Sequence, residues 1–375
     1  MASLLRVHHG VRAPVKTRIL TTITSCRMST DKEHVSFAPS FKIFRDVSPL
    51  RAYRRSLLDS KRTVGLVPTM GALHDGHLSL VRQAATANTD VFVSIYVNPT
   101  QFGVTEDLSS YPKTWESDIK QLQIVDRELA STSGSGRISA IFAPTTKVMY
   151  PTLPPSSEVN GKGSFVTITP VAEVLEGASR PVFFRGVATV CMKLFNIIAP
   201  EAVYFGQKDV QQTVIVKRMV KDFHLNTDVL IGETKREEDG LAMSSRNVYL
   251  GSRRREVAVI LSQALFAAAE QYTAHSKRSR GDILWVANDI INKMVLKQDG
   301  LSPEKRARFE VDYISLADPD SLDEVDTVDI SKGAVLSGAI KMLPLEDPVD
   351  GEDCGHGGGL GTVRLIDNIF LKPAA

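Results

Sequence analysis

The chain predicts an α/β protein: a parallel sheet wrapped by helices, followed by a smaller α+β domain. Between Thr63 and Ile231, apolar runs of strand length alternate with helical stretches, the pattern of a sheet covered on both faces. From about Gly232 the order changes to helices first and strands after. At 375 residues, 43% hydrophobic and 23% charged, the chain can fill two cores. These observations divide it into an N-terminal extension (1–38), a Rossmann-like domain (39–232) and a C-terminal α+β lid (233–375) with an insertion at about 345–360.

The strand-like runs of the first domain are Thr63 to Val67, Val91 to Val97, Ile138 to Phe142, Ala202 to Phe205 and Thr227 to Ile231. A helix from Val187 to Ala199 is apolar on most sides, which predicts burial and suits a subunit contact. Pro151, Pro154 and Pro155 mark a loop, and the Asn160-Gly161-Lys162-Gly163 turn leads to a further candidate strand, Phe165 to Thr169. In the second domain the pattern predicts helices over Arg253 to Tyr272 and Gly281 to Lys297, then strands near Phe309 to Ala317, Val335 to Met342 and Val363 to Phe370. The Cys354 to Gly361 run is glycine-rich but lacks the Lys-Ser/Thr and helix of a phosphate loop, so it reads as a flexible hairpin insertion.

The candidate site begins at Pro68-Thr69-Met70-Gly71-Ala72-Leu73-His74-Asp75-Gly76-His77. An apolar strand precedes it, and Leu78, Leu80, Val81, Ala84 and Ala85 recur after it at helical spacing. Gly71 and Gly76 allow a tight turn, and Asp75 can cap the first helical turn. His74 and His77 then share a face at a helix N-terminus, where free amides and the dipole favour an anion such as a triphosphate.

Four more segments follow in order: Val91 to Phe102 with Asn98 and Gln101; Arg180-Pro181-Val182-Phe183-Phe184-Arg185-Gly186-Val187; Tyr204 to Gln212; and Asp239 to Asn247 with Met243-Ser244-Ser245-Arg246. With the His-x-Gly-His segment they resemble the pantothenate synthetase (pantoate-β-alanine ligase) family of the nucleotidyltransferase superfamily. The similarity runs from about Phe41 to the C-terminus, interrupted near Ser131 to Ser139 and Leu345 to Leu360. The family usually carries histidine where this chain has Phe183.

The resemblance implies an ATP-dependent joining of (R)-pantoate and β-alanine through a pantoyl adenylate, with Mg²⁺ and in a homodimer. It assigns catalysis to His77, His74, Lys208 and Arg246. ATP contacts fall to Met70 through His77, to Gly206, Gln207, Lys208 and Asp209, and to Lys235, Met243, Ser244, Ser245 and Arg246. Asp209 orients the metal. Gln101, Gln212, Asn98, Pro68 and Met70 bind pantoate, with Phe102 and Phe183 as further apolar walls. Without the resemblance, Lys208 reads as a surface lysine paired with Asp209, and Ser-Ser-Arg-Asn as a turn.

Composition excludes other classes. Lys plus Arg number 45 against 43 Asp plus Glu, so no global field argues for nucleic acid or an anionic membrane. Arg253-Arg254-Arg255 is most simply a solvated helix face. Cys26, Cys191 and Cys354 have no metal or disulfide spacing, and Cys191 sits among apolar neighbours as a small core residue. Arg6, Arg12, Lys16, Arg18 and Arg27 precede the first acid, Asp31. That suits a mitochondrial transit peptide, whereas a start at Met28 leaves a cytoplasmic enzyme. Two other functions compete: nucleotidyl transfer onto a phosphorylated acceptor, which needs an extra basic cluster, and nucleotide binding without turnover.

Overall fold

The computed structural model describes residues 40–103 and 108–373. The extension 1–38, with Cys26, lies outside them. Six strands, β1 (Lys42–Phe44), β2 (Val64–Thr69), β3 (Asp90–Ile95), β4 (Arg137–Phe142), β5 (Ala202–Gly206) and β6 (Asp228–Gly232), form one sheet in the order β1-β4-β3-β2-β5-β6. All their pairings are parallel. The connecting helices are α1 (Val47–Asp59), α2 (Asp75–Ala87), α3 (Trp115–Ser131), the short α4 (Thr146–Met149) and α5 (Glu176–Ser179), α6 (Phe183–Ile198) and α7 (Val210–Asp222).

Both faces of the inner strands β2, β3, β4 and β5 are covered, which is why these are mostly apolar, while the edge strands β1 and β6 leave Ile43 and Leu230 exposed. Leu66, Phe92, Phe142 and Val203 point into a core shared with α1, α6 and α7. Their neighbours Val67, Val91, Val93, Ile141 and Tyr204 point into a second core with α2 and α3. Eleven of the sixteen residues of α6 are buried, Cys191 among them, and its partners in this chain include α1 and α7.

The remainder contains α8 (Gly251–Ala258), α9 (Ile260–Thr273) and α10 (Arg280–Asp299) against an antiparallel sheet of β7 (Phe309–Ala317), β8 (Ala334–Met342) and β9 (Val363–Leu371), ordered β7-β8-β9. Helices and sheet share a third core. The α/β class with a smaller α+β part is the one the pattern predicts.

Three expectations are corrected. Phe165 to Thr169 forms no strand: Val166 and Ile168 pack into the α6 core, and the Val166 N–H donates to Thr189 Oγ1 at 2.9 Å rather than to a ladder. The helix expected over Arg253 to Tyr272 is divided at Val259 into α8 and α9. Arg253-Arg254-Arg255 is not a solvated face. Arg254 is 1% exposed and donates to the carbonyls of Leu250 and Gly361, Arg253 pairs with Glu352, and Arg255 pairs with Glu237 and Asp239. The reason is that, the Leu250 carbonyl apart, these acceptors come from segments distant in sequence, which local spacing does not reveal.

β2 sits between β3 and β5, so the chain winds away from it in opposite directions. The crevice this opens at the C-terminal ends of the strands is where ligands bind in such sheets.

Candidate active site

The loop after β2 is shaped by hydrogen bonds before any ligand is considered. Thr69 Oγ1 donates to the Ser94 carbonyl at 2.7 Å and accepts from the Gly71 N–H at 3.2 Å. Gly71 (φ 85°) and Ala72 (φ 49°) are both left-handed, and the Asp118 carboxylate of α3 accepts from the Ala72 and Leu73 N–H groups at 3.1 and 2.9 Å. Those amides are therefore committed within the protein. Met70, His74, Gly76 and His77 line the cavity, whereas Gly71, Ala72, Leu73 and Asp75 shape the loop behind it.

His74, not Asp75, is the N-cap of α2: its Nδ1 accepts from the Gly76 N–H at 3.2 Å, leaving Asp75 exposed in the first turn. A Cβ on Gly76 would lie 2.8 Å from His74 Cε1, so glycine is what lets the ring fold over the helix end. The two imidazoles lie 4.1 Å apart. Burial, then the Lys208 charge, lowers His74 to about 4. Burial, then His74 and Lys208, holds His77 well below the ordinary histidine value. Both rings are neutral at pH 7, each with one N–H to donate. His77 Nδ1 is buried with no hydrogen-bond partner among the described residues.

After β3 come the neutral amides. Asn98 Nδ2 donates to Gln101 Oε1 at 3.0 Å and to the Gly186 carbonyl at 3.1 Å, while Tyr150 donates to Asn98 Oδ1 at 2.7 Å. Gln101 and Gln212 line the same cavity as Pro68 and Met70. Its apolar wall comes from α6, through Phe183, Val187, Val190, Cys191 and Leu194. Burial pushes the Cys191 thiol up to about 12, so it acts as a small apolar group there. Phe102 is not part of the wall; it is 1% exposed and packs edge-on to Tyr111.

The loops after β5 and β6 bring the charge. Lys208 Nζ lies 3.3 Å from Asp209 Oδ1, and both side chains face the cavity with Lys235 and Met243. Gln207 is turned aside, its Nε2 donating to Asn368 Oδ1 at 3.3 Å. Ser244 Oγ accepts from the Arg246 N–H at 3.2 Å, and Ser245 Oγ is 3.0 Å from the Tyr111 hydroxyl. The cavity holding the histidines and amides measures about 190 Å³. A second cavity, about 720 Å³, adjoins it through Phe183, Lys208, Asp209, Ser244 and Arg246 and reaches β9.

Among the described residues, no three His, Cys, Asp or Glu side chains converge on a possible metal position. Asp209 still offers a partly exposed carboxylate beside the Lys208 ammonium. That suits magnesium, which needs one or two carboxylates when phosphates and water supply its other ligands.

Sequence reasoning named the histidines, amides and cations that line the smaller cavity, but missed Ser94, Tyr96 and Glu233 there, most of the lining of the larger cavity, and the groups that hold the site. Asp118 and Asn368 act on the backbone from other elements, and Glu176 binds Arg180 at 2.9 Å and Arg364 at 2.8 Å. The one local signal was the run of polar residues, Arg364 and Asp367-Asn368, within the mainly apolar strand β9.

The sequence model of pantoate-β-alanine ligase matches residues 42–370. The chain belongs to the pantoate-β-alanine ligase family. Pantothenate synthetase of Roseiflexus castenholzii is 40% identical over 328 residues, 88% of this chain and 99% of that protein. Pantoate-β-alanine ligase of Saccharomyces cerevisiae is 38% identical over 339 residues, 88% of this chain and all (100%) of that protein. The crystal structure of Thermus thermophilus pantothenate synthetase aligns with a TM-score of 0.68 at 33% identity, covering 89% of this chain and 100% of that one. The ligase from Francisella tularensis, complexed with β-γ ATP and β-alanine, aligns at 0.58 and 28% identity, covering 88% and 97%.

Proposed function

We propose that this enzyme joins (R)-pantoate to β-alanine, consuming ATP and releasing AMP and pyrophosphate through a pantoyl adenylate. The observation that carries the reading is one cavity lined by two chemically distinct sets of groups. Neutral amides and the apolar wall of α6 make up one set; His74, His77, Lys208 and the Ser244 to Arg246 loop make up the other.

A carboxylate cannot be attacked productively by an amine, because oxide is a poor leaving group. In the first step a pantoate carboxylate oxygen forms a bond to the α-phosphorus as the bond to pyrophosphate breaks. Gln101 and Gln212 orient the hydroxyls without adding charge, and Asn98 holds Gln101 in place. Lys208 and Arg246 compensate charge that builds on the phosphates, Arg246 with a forked donor set. The neutral N–H groups of His74 and His77 donate to phosphate oxygens, and His77 is our choice for proton transfer. Asp209 would hold magnesium, directly or through water, and the ion would supply screening of the triphosphate charge there. In the second step the free amine of β-alanine forms the C–N bond as AMP departs, and the ammonium then loses a proton.

Nucleotidyl transfer onto a phosphorylated acceptor needs further cations for a second phosphate. Besides Lys208 and Arg246, the larger cavity has Arg180, Arg364 and Lys341, all bound by Glu176 and Asp312, and Arg254, which is held by backbone carbonyls. That pairing favours the ligase. A homodimer formed through the larger domain belongs to the same proposal.

Product analysis by mass spectrometry tests the reading, with ATP, Mg²⁺, D-pantoate and β-alanine supplied together and each organic substrate omitted in turn. Pantothenate and AMP should form only in the complete mixture. Intact ATP in every mixture from folded protein would overturn it.

A further inference from the structure

Asn368 lies in β9, and its side chain is used entirely outside its own sheet. The residue is 2% exposed, and a carboxamide buried that deeply is costly unless its hydrogen bonds are made. Asn368 Nδ2 donates to the carbonyl oxygens of Gln207 and Lys208, each at 2.9 Å, and its Oδ1 accepts from Gln207 Nε2 at 3.3 Å. The Asn368 N–H donates to Asp367 Oδ1 at 2.7 Å, and Asp367 takes two hydrogen bonds from Arg236 at 2.6 and 2.9 Å. Arg236 also donates to the Gly240 carbonyl at 3.0 Å, within the loop that carries Ser244 and Arg246.

The two carbonyls belong to the peptide planes on either side of the Lys208 α-carbon. Planar peptides leave φ and ψ as the only soft rotations between them. Fixing both planes fixes the direction in which the Lys208 side chain departs. We infer that Asn368 is a positioning residue: it aims Lys208 at the phosphates by clamping the peptide planes that flank it. The inference rests on the ligase reading of the site.

The test compares Asn368→Leu with wild type in two half-reactions: pyrophosphate release from ATP and pantoate, and pantothenate formation from supplied pantoyl adenylate with β-alanine. Pyrophosphate release should fall on the order of 100-fold, the cost of small misplacement of a catalytic group. The KM for pantoate should hold, since Gln101 and Gln212 lie elsewhere, and the second half-reaction should keep its rate. Introduced into Lys208→Ala, the same substitution should cause no further loss, because it acts through the absent ammonium. Asn368→Asp keeps the shape and removes the donors; it reads the same quantities if the leucine variant does not fold.

Normal pyrophosphate release in folded variants, equal loss in both half-reactions, or additive loss in the Lys208→Ala background would each overturn the assignment. Wild-type protein that makes no pantothenate removes the ligase reading itself. Active wild type with fully active variants removes only the role of Asn368.

Discussion

Burial lowers His74 to about 4 and holds His77 well below its ordinary value, so both rings resist protonation in the folded chain. An unfolded chain, with its histidines near 6.5, binds more protons as pH falls below that value. Stability contributed by the neutral pair is therefore present above pH 6.5 and lost on descending toward 4. Thermal unfolding followed across that interval should show a midpoint that is level near neutrality and falls on the acid side. His77→Gln should flatten the fall; an unchanged slope would remove His77 as its source. His77→Ala and Lys208→Ala should each keep the fold and lower adenylation by roughly 100- to 1000-fold, the scale of losing one oriented donor to developing charge. Near-normal pyrophosphate release by either variant removes that residue from the mechanism. At this scale Lys208 and Arg246 were legible only through the family resemblance, their local sequence reading as a surface ion pair and a turn, whereas His74 and His77 were legible from their place between strand and helix patterns. Asp118 was not, since nothing near it in sequence shows that its carboxylate meets the Ala72 and Leu73 amides.

Among the elements, α8 shows where local pattern stops being informative. Three consecutive arginines on a helix satisfy every local criterion for a wet face, yet Arg254 is buried and its guanidinium serves the carbonyls of Leu250, Tyr249 and Gly361. Arg254→Met keeps much of the buried stem and removes all these donors. It should lower stability by about 2 to 4 kcal/mol, the cost of leaving several buried acceptors unsatisfied. Urea denaturation measures this, and a change below about 0.5 kcal/mol, usual for surface positions, would restore the solvated face. Five of the six parallel strands were read to within a few residues because continuous apolar runs are what two buried faces require; the three-residue edge strand β1 has no such run and was not read. Phe165 to Thr169 has similar apolar content. Its apolar residues are used against α6 instead of on a strand edge, a choice made by tertiary packing.

At the scale of the molecule, the short helix α5 is joined to the antiparallel sheet by charge, and that sheet is tied within itself in the same way. Glu176 of α5 holds Arg364 of β9, and Asp312 of β7 holds both Arg364 and Lys341. The sequence indicated both sheets, but the contact of α5 with the second depends on partners far apart in the chain. The proposed homodimer is checked by analytical ultracentrifugation at micromolar protein, where sedimentation at twice the chain mass is expected and a purely monomeric boundary overturns it. The hydrogen bonds from Asn368 to Gln207 and Lys208 span 161 and 160 residues. During vectorial synthesis, the turn bearing Lys208 emerges long before the strand that clamps it. A nascent chain can thus carry the two histidines, the lysine and the arginine while its phosphate side is still unset. The order of translation delays assembly of the site until nearly all of the described chain has been made.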